Sequence, residues 1–147
     1  IRGKSPRRYL YFLTPKGFAE KAKLSTRYLA NSLEFYRTSA DEFRSLFNEY
    51  EKEKGLRVIL SGLSDLAEIA ILVGGATINA EIIAIYDQKD GEATFNQIPV
   101  FNDLTRLPES DLAIVTSLNN PTENYYHLIE EIPTEKVYLP RVLGIKL

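Results

Sequence analysis

Leu56-Arg57-Val58-Ile59-Leu60-Ser61-Gly62-Leu63-Ser64-Asp65-Leu66-Ala67 is the stretch on which the fold turns. Its first six residues are an apolar run of the length of a buried strand, Gly62 interrupts it, and a helix follows from about Leu66 to Val73, ended by Gly74-Gly75. Strand, tight turn and helix open a βαβ unit, and the alternation continues downstream. Glu81 to Tyr86 reads as a second apolar strand ending in Asp87, and Asp90-Gly91 marks a turn. Asp111 to Ser117 reads as a third core strand, Pro121 to Glu131 as a helix, and Lys136 to Leu139 as a fourth strand. Residues 94–101 contain Pro99, which cannot donate to a central ladder, so they read as a short excursion with an edge strand. Strands alternating with helices predict right-handed crossovers and a parallel sheet. Residues 55–147 are therefore expected to form an α/β domain with three or four central strands.

Upstream of Gly55 the period is different. Arg8 to Leu13 reads as a short strand, stopped by Thr14-Pro15, with Thr14 as N-cap and Pro15 as first helical residue, where a missing N–H breaks no bond. From Pro15 to about Lys54 there is no further proline and one glycine, Gly17, which predicts a single helix of about 40 residues, roughly 60 Å long, closed by Gly55 as C-cap. Ala22, Thr26, Leu29, Leu33, Tyr36, Ala40, Phe43, Phe47 and Tyr50 recur in steps of four and three, a heptad stripe with one polar member. Two copies would bury that stripe symmetrically, so a homodimer through the long helix is expected; the alternative is that the stripe packs on the chain's own α/β domain.

Composition narrows the function classes. There is no cysteine, so no disulfide framework or thiolate chemistry, and with His127 as the single histidine a metal site would have to be built almost wholly from carboxylates. No apolar run approaches the roughly 20 residues of a membrane helix, and Ile1 to Arg8 lacks the apolar stretch of a secretory signal, so no membrane partner and a cytoplasmic location are expected. The net charge of −2 hides a split, because residues 1–55 hold twelve Lys/Arg and seven Asp/Glu, whereas residues 56–147 hold six and thirteen. A basic N-terminal arm beside an acidic domain is a pattern of nucleic-acid binders, and equally of a solvated terminus.

The loop Gly62-Leu63-Ser64-Asp65-Leu66-Ala67 stands where a dinucleotide-binding fingerprint stands, after the first strand and opening the first helix. Gly62 supplies the tight turn and Ala67 the small residue for helix–strand packing. Ser64 takes the place of the second glycine and adds a Cβ where a pyrophosphate should approach. Asp65 favours the helix dipole but repels a phosphate at the same place. Asp87, at the end of the second strand, is placed to bind ribose hydroxyls, and Ser117, Asn119 and Asn120 follow the third core strand on the same side. The candidate ligand site is thus Gly62, Leu63, Ser64, Asp65, Leu66, Asp87, Ser117 and Asn119, and the candidate ligands are a nucleotide, NAD(H) or a sugar nucleotide. No nucleophile, base and orienting acid can be assembled, and His127 reads as a helix-borne surface residue. No catalytic residue is assigned.

Arg8-Tyr9-Leu10-Tyr11-Phe12-Leu13-Thr14-Pro15-Lys16-Gly17, followed by Glu20-Lys21-Ala22, resembles the end of the wing and the start of the dimerisation helix in MarR-type winged-helix regulators, especially those associated with exopolysaccharide gene clusters. The resemblance implies a wing remnant over residues 1–14, a dimerisation helix over 15–54, and phosphate contacts from Lys4, Arg7 and Arg8 that position the protein on DNA without reading bases. It also implies a helix-turn-helix ahead of residue 1, so that this segment alone is not expected to recognise an operator. Val58 to Gly62, Ala67 to Ala70, Ile83 to Asp87 and Ile98 to Val100 resemble the Rossmann-like domains of sugar-nucleotide-modifying enzymes and of CoA- or NAD-binding sensors. The joint expectation for residues 55–147 is a Rossmann-like ligand-binding domain in a ligand-responsive transcription regulator. The competing expectations are a fragment of an NAD-dependent or sugar-nucleotide-modifying enzyme with a helical oligomerisation arm, and a scaffold without a small ligand.

Overall fold

The computed structural model describes residues 15–50, 55–77, 80–89 and 93–147. The chain falls into two units, Ile1–Phe35 and Tyr36–Leu147, and the sheet belongs to the second. One helix, α1 (Pro15–Glu49, 35 residues), runs from the first unit into the second. It opens on Pro15, and Thr14, with the expected wing remnant and Lys4, Arg7 and Arg8, lies outside the described residues. It stops at Glu49 rather than near Lys54, so Gly55 is not its cap; Gly55 instead turns the chain with φ +78° directly before the first strand. The last apolar side chains of α1 that find a core are Leu46 and Phe47.

The strands and remaining helices are β1 (Leu56–Ser61), α2 (Asp65–Gly75), β2 (Ala80–Tyr86), β3 (Thr94–Phe95), β4 (Ile98–Phe101), β5 (Leu112–Val115), α3 (Pro121–Leu128) and β6 (Val137–Tyr138). They form one six-stranded sheet in the order β3-β4-β2-β1-β5-β6. Every pair in it is parallel except the β3–β4 hairpin. The sheet is wider than the expected three or four strands because the 94–101 segment is not a mere excursion. Asn96 and Gln97, both at positive φ, make a tight hairpin, and β4 then pairs with β2 through Val100 and Phe101. Pro99 is accommodated because it lies opposite Thr94 of the edge strand β3, below the residues that pair with β2.

Each element follows from its local chemistry. β1 and β5 are buried nearly throughout, as the Val/Ile/Leu/Ala runs at 58–60 and 112–115 require for the centre of a parallel sheet, and Arg57 is the exposed exception in β1. α2 is capped by Ser64 and ends in Gly74-Gly75, and Gly74 permits a close approach to the sheet: a Cβ there would stand 3.2 Å from the Ile82 side chain and 3.8 Å from Phe47. The pairing of β1 with β2 slips once, since Val58 faces Ile82 but Ile59 faces Ala84, which leaves Ile83 as an extra residue in β2.

The expected seam of α1 divides into two parts. Ala40, Phe43 and Phe47, with Leu46 beside them, are buried within the second unit, and Phe43 stacks on Phe47 at 6.2 Å. This half of the stripe covers the chain's own α/β core, a correction to a seam kept for self-association along its whole length. Leu29 and Leu33, by contrast, are 60% and 46% exposed. Within the second unit α1 is also tied to the C-terminal segment. The buried carboxylate of Glu42 accepts from the Tyr138 hydroxyl, from Arg141 N at 2.7 Å and from Val142 N at 3.1 Å.

Candidate functional site

The parallel strands, taken in chain order, are laid down leftwards from β1 to β2 to β4 and then rightwards to β5 and β6. The direction of winding reverses between β1 and β5, so the loops leaving these two neighbours diverge to opposite faces. A crevice opens between them at the carboxyl ends, which is where open α/β sheets bind ligands. Here it encloses about 670 Å³ and is lined from three sides: by Gly62 to Asp65 after β1, by Tyr86 to Lys89 at the end of β2, and by Ser117 to Asn120 after β5 together with one face of α3.

Gly62 makes the floor possible. It stands at φ +112°, and a Cβ on it would meet Ser117 Cα and N at 2.6 Å, so two loops cross there at backbone contact. Its N–H donates to Tyr86 O at 2.8 Å, and its carbonyl accepts from the Thr116 hydroxyl at 2.6 Å. Three strand ends are thereby pinned to one another through one residue without a side chain.

Asp87 is positioned with equal definition. Leu63 N donates to its Oδ2 at 2.8 Å and Lys89 N donates to its Oδ1 at 3.0 Å. A carboxylate oxygen can accept more than one hydrogen bond, so a carboxylate fixed in this way can still receive hydroxyls from the crevice.

Ser64 is a helix cap. Its Oγ accepts from Leu66 N at 3.1 Å and Ala67 N at 3.2 Å while its hydroxyl donates to Thr116 O. Two of the N–H groups that a helix N-terminus offers to an anion are thereby taken within the protein. Asp65 and Glu68 in the first turn of α2 add negative charge at the same end.

Of the residues singled out by sequence, Gly62, Leu63, Ser64, Asp65, Asp87, Ser117 and Asn119 all line the crevice. Leu66 does not; its side chain is fully buried in the core and only its backbone N–H belongs to the loop, because the first turn of α2 rotates it towards the sheet. Sequence reasoning missed the contribution of α3. Glu123, Asn124, Tyr126 and His127 of α3 line the crevice together with Glu130, which lies beyond the helix because α3 ends at Leu128 and not at the expected Glu131; the three- and four-residue spacing of 123, 126 and 127 marks one helical face, a signal that gains meaning only when the topology places it.

His127 is half-buried there, its ring stacked on Tyr86 with centroids 6.1 Å apart. Burial raises the Tyr86 phenol above its ordinary pKa, and the carboxylates of Asp103 and Asp87 push it in the same direction. A phenol so held keeps its proton at neutral pH and can donate a hydrogen bond. Asp103 is held low by the Thr105 hydroxyl and N–H that it accepts, and it caps the turn at residues 104–106. Among the described residues no group of three or more His, Cys, Asp or Glu could hold a metal ion, and no helix is long and apolar enough to cross a membrane. No protein-family model, curated protein or solved structure matches the chain.

Proposed function

We propose that the α/β unit is the sensor of a ligand-responsive transcription regulator and that its ligand carries a nucleoside, as nucleotides, NAD(H) and sugar nucleotides do. The observation that carries this reading is the crevice at the reversal of winding, with Gly62 at its floor and the Asp87 carboxylate fixed beside it. The strand order β4-β2-β1-β5-β6 is the order of the first five strands of a doubly wound dinucleotide-binding sheet, and in such sheets an acid at the end of the second strand takes the ribose hydroxyls.

The regulator reading adds the basic arm with Lys4, Arg7 and Arg8 and the exposed Leu29 and Leu33, which pair two copies of α1 in this proposal. A ligand would act by favouring one geometry of that pair over another, by its difference in affinity for the two.

Thermal unfolding of the chain with adenosine, NAD and a uridine diphosphate sugar tests the ligand class. A ligand present at 100 times its Kd stabilises by about 2.7 kcal/mol, and Asp87→Ala should abolish the shift. No shift with any nucleoside-bearing compound would end the reading. Salt-dependent operator binding, measured on a chain carrying a helix-turn-helix ahead of residue 1, tests the DNA side.

A further inference from the structure

The loop that should cradle a pyrophosphate is arranged to refuse one. Of the six backbone N–H groups from Gly62 to Ala67, four are engaged inside the protein: Gly62 on Tyr86 O, Leu63 on Asp87, and Leu66 and Ala67 on Ser64 Oγ. Ser64 cannot turn aside without also breaking its bond to Thr116 O. The charge of the crevice points the same way. Among the described residues that line it, four carboxylates, Asp65, Asp87, Glu123 and Glu130, stand against the one ammonium of Lys89. Asn124 adds a buried Oδ1 that has no hydrogen-bond partner among the described residues, an acceptor suited to a donating ligand.

We infer that the crevice selects a nucleoside without a phosphate, neutral or bearing a cationic substituent, over the corresponding nucleotide. This rests on the nucleoside reading above and narrows it. The ribose hydroxyls donate to Asp87, as they would in a dinucleotide site. The 5′ side of the ribose then meets acceptors and carboxylates where a phosphate would need donors, so an amine there is attracted and a diphosphate repelled.

The test is titration calorimetry on the whole chain with adenosine, guanosine, cytidine and uridine, each beside its own 5′-diphosphate, and with 5′-amino-5′-deoxyadenosine. The expected result is that the nucleoside that binds does so at least tenfold more tightly than its diphosphate. The amino compound should gain over adenosine, and that gain should shrink as salt rises. Ser64→Gly, which releases the N–H groups of Leu66 and Ala67 at little cost in helix stability, should narrow the gap between nucleoside and diphosphate at least threefold, with folding checked by thermal melting. A diphosphate bound as tightly as its nucleoside by the unaltered chain, or a gap unchanged by Ser64→Gly, would overturn the inference and leave the nucleoside reading standing. Failure of every compound to bind would remove both.

Discussion

The carboxylate of Glu42, buried on α1, accepts the hydroxyl of Tyr138 from β6, 96 positions along the chain. The same carboxylate takes two backbone N–H groups of the turn that follows, so one side chain satisfies three donors and joins the long helix to the end of the polypeptide. Glu42→Ala would leave all three without their acceptor and should cost about 3 kcal/mol, read by urea unfolding. Glu42→Gln keeps one acceptor oxygen and should cost visibly less; equal losses for the two would show that the hydrogen bonds contribute nothing beyond packing.

Tyr138 predicts an alkaline weakness. Burial and the hydrogen bond to Glu42 raise its phenol well above the ordinary value of 10.0. Tyr86 is raised as well. A phenol whose pKa is higher folded than unfolded stabilises fully below the unfolded pKa and loses that contribution as pH climbs towards the folded one, because the unfolded chain releases its proton first. Stability should therefore decline from about pH 10 upwards, and Tyr138→Phe should flatten the decline. An identical slope in that variant would contradict the assignment.

Two glycines should respond in opposite directions. At Gly62, alanine meets both a positive φ and backbone atoms of Ser117 at 2.6 Å, and a loss of at least about 3 kcal/mol is expected. At Gly75, in the last turn of α2, a Cβ would meet nothing within 4 Å, and alanine should stabilise by about 0.5–1 kcal/mol. Chemical denaturation of both variants checks the pair.

The two halves of the α1 stripe should separate cleanly in experiment. Phe43→Ala empties a fully buried site and should cost about 3–5 kcal/mol of folding stability at any protein concentration. Leu29→Ala and Leu33→Ala together should leave the fold of the second unit unchanged but weaken self-association, measured by sedimentation equilibrium. A sedimentation profile unaltered by the double substitution would exclude these residues from any dimer contact.

What the sequence discloses here depends on how far each signal reaches. β1 and β5 are legible because strands buried on both faces carry nearly continuous apolar runs, interrupted in β1 by the exposed Arg57, and such runs are recognised without knowledge of neighbours. Gly62 and Asp87 are legible because their spacing from strand ends is itself the signal. β4 is hidden by Pro99, whose harmlessness depends on where the pairing with β2 begins. The stripe of α1 is visible, but periodicity reports an apolar face without naming its partner, and Phe43 and Phe47 prove to face the chain's own core. The crevice face of α3 is the same in kind: Glu123 and His127, four positions apart, repeat as any solvated surface would until the reversal of winding sets them beside a crevice. Ser64 shows the opposite limit, since its departure from glycine is plain in the sequence while its reason, a cap holding two N–H groups and the Thr116 carbonyl, is visible only in three dimensions.

The slip at Ile83 has an outcome for the sheet's two sides. A side chain alternates strictly along a strand, yet Ile83 and Ala84, adjacent in sequence, both pack with Ile59 and Ala113. Alternation restarts after them, which turns Tyr86 towards Val115, Tyr125 and Leu128. Were β2 in step with β1 throughout, the phenol would hang on the opposite side, among the residues beneath Gly74, and His127 would have no ring to lie against. A single supernumerary isoleucine thus acts as a parity switch, choosing which side of the molecule receives the tyrosine that walls the crevice.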